Sequence, residues 1–180
     1  MAHDTDSSRF FAELEAHKRI LLKVSRSYCR EPADREDVMQ EMVLALWRAF
    51  PTFQGRSRFS TWMYQVALNV AISYQRSQTV RTRHVVSDEL KLARVSATAE
   101  AESPQVTLLY EFIDELNPFD KALVLLYLDG YSQQEMAQIL GITATNAGTK
   151  IGRIKQALQQ RFAAEQNTIE YGEAVSTTPT

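Results

Sequence analysis

The stretch "NPFDKALVLLYLDGYSQQEMAQILGITATN", residues 117–146, is punctuated so heavily that its backbone has little choice of conformation. Asn117 before Pro118 reads as an N-cap with proline at the first helical position, where a missing N–H removes no hydrogen bond. Asp129-Gly130 closes that helix. Ser132 and Glu135 have the S-x-x-E spacing of a capping box, each side chain taking an orphan N–H at the start of the next helix. Gly141 then offers a left-handed stop, and Thr143 can cap a successor. Two helices joined by a tight glycine turn form a helix-turn-helix, whose second helix is built to enter a DNA major groove.

On that second helix, Ala147, Ile151, Ile154 and Leu158 fall on one stripe at 3.6-residue spacing and are expected to face the core. The opposite side displays Thr145, Thr149, Gly152, Arg153 and Gln156, with Lys150 and Lys155 flanking it. From Thr143 to Arg161 the charged residues are all basic. Short polar groups and an arginine can read base edges while flanking lysines meet phosphates, so Thr145, Thr149, Lys150, Arg153, Lys155 and Gln156 are the candidate contacts.

Elsewhere, apolar residues also recur at helical spacing, as in Val38, Met42, Leu46, Ala49 and Met63, Val66, Val70, Tyr74. The chain is therefore expected to be all-α. Residues 79–104, poor in aromatics and rich in Ala, Ser, Thr and charge, suit a flexible linker between two small helical domains, 10–78 and 105–163. The polar residues 164–180 are expected to form a disordered tail.

The first domain carries an anomaly in its charge. Between Glu41 and Asp88 no acid occurs, while Arg48, Arg56, Arg58, Arg76, Arg81 and Arg83 do. A surface cleared of carboxylates is what a polyanion requires. With Met63, Val66, Val70 and Tyr74 turned inward, the outer face of their helix would show Thr61, Gln65, Asn69, Ile72 and Arg76, with Trp62 and Tyr64 at its margins. Amides read base edges and aromatics stack on extruded bases, so Arg56, Arg58, Trp62, Tyr64, Gln65, Asn69 and Arg76 are candidates for holding a separated strand.

The preceding helix has another character. In "DREDVMQEMVLALWRAF" the core stripe Val38, Met42, Ala45, Leu46, Ala49 pushes Asp37, Gln40, Glu41, Leu44, Trp47 and Arg48 outward. An exposed Leu and Trp with a polar border form a protein–protein surface too acidic for DNA, unless the segment from Phe10 to Cys29 covers Trp47.

The formal charge of −2 excludes a protein that coats nucleic acid by bulk electrostatics, so any contact must be local. Cys29 is the lone cysteine and the three histidines are scattered, so no disulfide or metal-ligand set is expected. No phosphate-binding glycine loop or nucleophile–base pair is visible, which points away from an enzyme and from any cofactor. No run approaches the ~18 apolar residues of a membrane span, and "MAHDTDSSRFF" lacks the order of a signal peptide, so a cytoplasmic protein without membrane insertion is expected. A free-standing dimeric helix-turn-helix regulator is the alternative, although no heptad seam supplies a dimer surface.

Taken in order, three segments resemble the extracytoplasmic-function group of bacterial RNA polymerase sigma factors. "DREDVMQEMVLALW" resembles the group's polymerase-binding helix, "FSTWMYQVALN" its promoter-melting segment and "YSQQEMAQILGITATNAGTKIGRIKQAL" its upstream-element reader. The resemblance implies that Asp37, Gln40 and Glu41 grip core RNA polymerase. It also implies that Asn69, its aromatic neighbours and the loop after Phe50 open the start-proximal promoter element, and that an anti-sigma factor restrains the protein. This chain departs from the group's pattern at Leu68, where a basic residue is frequent, at Ser73, and at Ala147-Gly148.

Overall fold

A computed structural model describes residues 2–84 and 104–175, with side chains described over 7–78 and 105–165. Among the described residues there are seven α-helices and no strand. The first three are α1 (Ala2–Tyr28), α2 (Pro32–Ala49) and α3 (Phe59–His84), with a short 3-10 turn at Phe50–Thr52 between α2 and α3. The remaining four are α4 (Pro104–Glu115), α5 (Pro118–Leu128), α6 (Gln133–Leu140) and α7 (Ala144–Val175). Two helical domains result, α1–α3 and α4–α7.

Helix α2 begins where Pro32 follows an extended Glu31. Arg35 ties this start to the end of α1, donating from Nε to the Cys29 carbonyl at 2.9 Å and from Nη2 to the Arg30 carbonyl at 2.7 Å. Those carbonyls would otherwise lack partners beyond the helix end. Phe10, Leu21 and Val24 of α1 meet Val38, Met42 and Leu46 of α2 and Met63, Ala67, Leu68 and Ala71 of α3, all at 3% exposure or less. Each large side chain so buried contributes about 1.5–3 kcal/mol against the unfolded chain. Burial also pushes the Cys29 thiol up to about 11, leaving it protonated at neutral pH.

The punctuation of the second domain forms as its sequence expects. Asn117 Oδ1 accepts from the Phe119 and Asp120 amides at 3.1 and 2.9 Å. Ser132 and Glu135 complete the capping box, with the Ser132 amide 2.9 Å from Glu135 Oε2 and the Glu135 amide 3.3 Å from Ser132 Oγ. Gly141 takes the left-handed conformation at φ 67°, and Thr143 Oγ1 accepts from the Asn146 amide at 3.2 Å. Gly148 serves close packing: a Cβ there would lie 2.7 Å from Gln133 Oε1, so the Gln133 amide rests against bare backbone where α6 meets α7.

The two domains touch. Helix α3 packs against α5 and α6 as well as against α1 and α2. Asp129, at the end of α5, accepts from the Tyr64 hydroxyl and from Lys23, and Tyr131 meets Tyr64 edge-on with ring centroids 5.5 Å apart. The Tyr28 hydroxyl donates to the Pro118 carbonyl at 2.6 Å. Lys121, 3% exposed, reaches the Ser27 carbonyl at 3.0 Å and Asp114 at 3.4 Å. Burial lowers the Lys121 pKa, and Asp114 opposes that shift by favouring the charged ammonium.

Element ends differ from the sequence expectation in two places. Helix α3 runs past residue 78 to His84, because "QRSQTVRTRH" holds no proline or glycine to stop it. Helix α7 likewise continues through the expected tail to Val175, carried by the helix-forming Ala, Glu and Gln of "AAEQ". The rest of the expected linker, 85–103, and residues 176–180 lie outside the described residues.

Candidate partner and nucleic-acid interfaces

On α2, the inward stripe Val38, Met42 and Leu46 is buried, and this phase exposes Asp37, Gln40, Glu41, Leu44 and Trp47, as well as Arg48. Leu44 and Trp47 are 46% and 41% exposed, a large apolar area on the outer side of α2. The N-terminal helix covers Trp47 only from beneath: Phe10 meets its ring edge-on at 5.0 Å and Phe11 stacks on it at 5.8 Å. Phe11 is itself 58% exposed and widens the apolar patch, which sequence reasoning missed. The doublet Phe10-Phe11 was the available signal, since adjacent residues point about 100° apart on a helix and a narrow inward stripe takes only one of them.

On α3 the expected outer face is only partly present. Gln65, Asn69 and Arg76 are exposed, as are Arg56 and Arg58 in the loop ahead of the helix. Trp62 is half-buried in a nest of Phe50, Phe53 and Phe59, its ring centroid 6.4, 4.9 and 5.3 Å from theirs. Tyr64, expected at the margin of the strand-binding face, is 1% exposed and turned to the second domain. Burial first, and then the hydrogen bond to Asp129, raise its pKa. Thr61 and Ile72 are buried too, at 7% and 8%. The cause is common to all three: α3 has neighbours on two sides, and a single inward stripe cannot describe it.

Between α2 and α3 runs an open groove of about 650 Å³ lined by Asp37, Val38 and Glu41 on one side and Asn69, Val70, Ser73, Tyr74 and Ser77 on the other. Asn69 thus opens onto the same groove as two carboxylates of the α2 face. The sequence kept these faces apart, and the structure makes them adjoin.

On α7 the inward stripe has the expected phase. Ala147, Ile151 and Ile154 are buried and Leu158 is half-buried, which leaves Thr145, Thr149, Gly152, Arg153, Lys155 and Gln156 exposed. Two lysines are already engaged within the domain. Lys150 lies 3.2 Å from Asp120 Oδ1 and 5.4 Å from the Phe119 ring, and Lys155 is 3.4 Å from the Tyr127 hydroxyl. Arg153 carries no ion pair among the described residues, so its guanidinium is available to a base edge. No group of three or more His, Cys, Asp or Glu able to hold a metal occurs among the described residues. No helix among them is long and apolar enough to cross a membrane.

Comparisons with known proteins place both domains. The family model described as sigma-70 region 2 matches residues 14–81, and that described as sigma-70, region 4 matches residues 107–158. The chain is similar to the RNA polymerase sigma factor NccH of Alcaligenes xylosoxydans xylosoxydans, 23% identical, with 89% of this chain and 90% of that protein aligned. It is also similar to the ECF RNA polymerase sigma-E factor of Escherichia coli (strain K12), 27% identical over 71% of this chain and 73% of that protein. Among solved structures, the sigma factor RpoE from Bartonella quintana, in complex with the anti-sigma factor NepR, aligns with TM-score 0.70 and 19% identity. That alignment covers 86% of this chain and 97% of that one. CnrH in complex with the cytosolic domain of CnrY aligns with TM-score 0.61 and 20% identity, covering 88% and 90%.

Proposed function

The chain belongs to the extracytoplasmic-function group of RNA polymerase sigma factors, and we propose that it divides the work of that group among three surfaces. Sigma factors of this group bind core RNA polymerase and direct promoter recognition and transcription initiation without catalysing a reaction themselves. In this chain Asp37, Gln40, Glu41, Leu44 and Trp47 of α2 take the polymerase. Arg56, Arg58, Trp62, Gln65, Asn69 and Arg76 hold the opened strand of the start-proximal element. Tyr64 joins them only if the second domain moves away, since Asp129 and Tyr131 cover it. Thr145, Thr149, Arg153 and Gln156 read the upstream element as duplex, with Lys150 and Lys155 toward its phosphates.

The observation that carries this reading is the separation of charge. The face of α2 is acidic and apolar, while the exposed side of α7 from Thr145 to Arg161 contains no acid. A regulator acting alone would have to supply all of its own phosphate neutralisation and would have no use for an acidic, tryptophan-bearing face. The sigma factor RpoE, solved in complex with the anti-sigma factor NepR, supports a regulatory partner of the same class for this chain, acting in the cytoplasm where core polymerase is found.

Reversing the charge of Asp37 and Glu41 to Arg tests the docking face. The double variant should lose core polymerase in a pull-down while its helical circular dichroism is unchanged, because both side chains are exposed. Undiminished retention of polymerase would remove α2 from the interface.

A further inference from the structure

Gln133 is the first residue of α6, and its carboxamide lies across the backbone of α7 at Gly148. A Cβ added to Gly148 would stand 2.7 Å from the amide oxygen, 2.8 Å from the amide carbon and 2.9 Å from the amide nitrogen. The whole amide group therefore occupies the place where a side chain of α7 would begin. Gly148 follows the buried Ala147 and precedes the exposed Thr149, so it sits at the margin between the core stripe and the reading face. One turn further along that margin, Gly152 has nothing within 4 Å of where its Cβ would be, which leaves the flank beside the amide open. Gln133 is exposed, and its side chain has no hydrogen-bond partner among the described residues.

We propose that Gln133 reads one base pair of the upstream element, its carboxamide bonding a base edge from the position that Gly148 leaves bare on α7. The inference rests on the duplex-reading role proposed for α7 and adds to that face a residue from the preceding helix. Chemistry selects a base edge over a phosphate. A neutral amide neutralises no phosphate, whereas its adjacent acceptor and donor match the N6 donor and N7 acceptor of adenine. The start of α6 also holds a carboxylate already. Glu135 Oε2 accepts from the Ser132 amide at 2.9 Å and from the Ser132 hydroxyl at 2.8 Å, and a phosphate there would meet that charge.

The test uses holoenzyme reconstituted from the full chain and core polymerase, immobilised and offered a duplex promoter fragment randomised over its upstream element. Sequencing the captured fraction gives the preference at each base pair. Gln133→Ala should flatten the preference at one base pair about tenfold and leave the others within about twofold, with unchanged circular dichroism. Gly148→Ala should flatten the same base pair, because the added methyl group displaces the amide. It should nonetheless unfold in urea no earlier than wild type, since alanine favours a helix over glycine. The double variant should lose no more than either single one, as both act on one contact. Gln133→Glu should turn the preference at that base pair from adenine to cytosine, whose N4 amino group can donate to a carboxylate.

Several results would overturn the proposal. Equal weakening of every sequence by Gln133→Ala, with all preferences kept, would make the amide a phosphate contact. Full preference in Gly148→Ala would show that the seat on α7 plays no part in reading. Lost stability in Gln133→Ala with no change of preference would reduce the residue to packing between α6 and α7. The underlying reading fails in a different way: if Thr149→Ala and Arg153→Ala holoenzymes keep every preference of wild type, α7 is not the reading helix, whatever Gln133 does.

Discussion

Helices α3 and α7 were assigned nucleic-acid faces by the same rule, an apolar stripe turned inward and the rest turned out. The rule works for α7 and half fails for α3. Helix α7 packs through one stripe, Ala147, Ile151 and Ile154, and every candidate opposite it except Lys150 is exposed. Helix α3 packs against α1 and α2 and also against α5 and α6, and Thr61, Tyr64 and Ile72 are all buried, Tyr64 against Asp129 and Tyr131 of the second domain. The difference teaches that a helical face read from sequence is reliable where the helix buries a single stripe, as α7 does although α4, α5 and α6 all pack on it. A helix between two layers shows an ambiguous period, because its apolar arc is wider than one stripe.

The comparison is most easily broken at Leu68, which is 1% exposed and belongs to the arc that the one-stripe reading left out. Leu68→Ala should cost about 2–5 kcal/mol by lost burial and the cavity left behind. Gln65→Ala, one turn earlier and exposed, should stay within about 0.5 kcal/mol. Urea unfolding followed by circular dichroism separates them, and equal midpoints would mean that α3 is not buried on this side.

The next largest effect concerns the second neighbour itself. Asp129→Ala removes the acceptor shared by Tyr64 and Lys23 and leaves a tyrosine hydroxyl buried without its partner, which costs about 1–3 kcal/mol of domain contact. Small-angle scattering of the variant should show a larger radius of gyration than wild type. Tyr64→Phe removes the hydroxyl together with its need for an acceptor, and should expand the protein less. Identical scattering from all three proteins would show that Asp129 does not hold the domains together.

Function sharpens the comparison at a smaller scale. Asn69→Ala on α3 should impair promoter opening, measured by permanganate reactivity of unpaired thymines, more than it impairs binding to closed duplex. Arg153→Ala on α7 should relax preference for the upstream element by about 1–3 kcal/mol at one position, whereas Lys150→Ala should mainly reduce the salt slope. Lys150 is half-buried and already paired with Asp120, so its effect should be the weaker of the two. Reversal of that order would move the reading face toward Lys150.

Much of the fold was legible because its signals are local. Asn117, Ser132, Glu135, Gly141 and Thr143 each act within four residues of themselves, and each cap forms as its spacing requires. The exposed residues of α2 were legible for a related reason, since Val38, Met42 and Leu46 leave one phase open to that helix. What the sequence hid depends on contacts distant in the chain. Tyr64 and Asp129 are 65 residues apart, and Lys121 and Ser27 are 94 apart, so no window of periodicity connects them.

The smallest expected effect tests how local the second domain's punctuation is. Glu135 is held below the usual carboxylate range first by the Ser132 backbone amide and then by the Ser132 hydroxyl. The folded state therefore binds this proton less readily than the unfolded chain does. The stabilisation is complete above the ordinary glutamate pKa of 4.5 and is lost as pH falls through the lower folded value. Glu135→Gln retains a side-chain acceptor for the Ser132 amide but cannot titrate, so the unfolding midpoint of the variant should fall less steeply than wild type below that pH. If Glu135→Gln leaves the acid limb as steep as in wild type, the capping box seen at the start of α6 contributes nothing that acid can remove, and the helix depends on Met136, Ala137 and Ile139 packing inward instead.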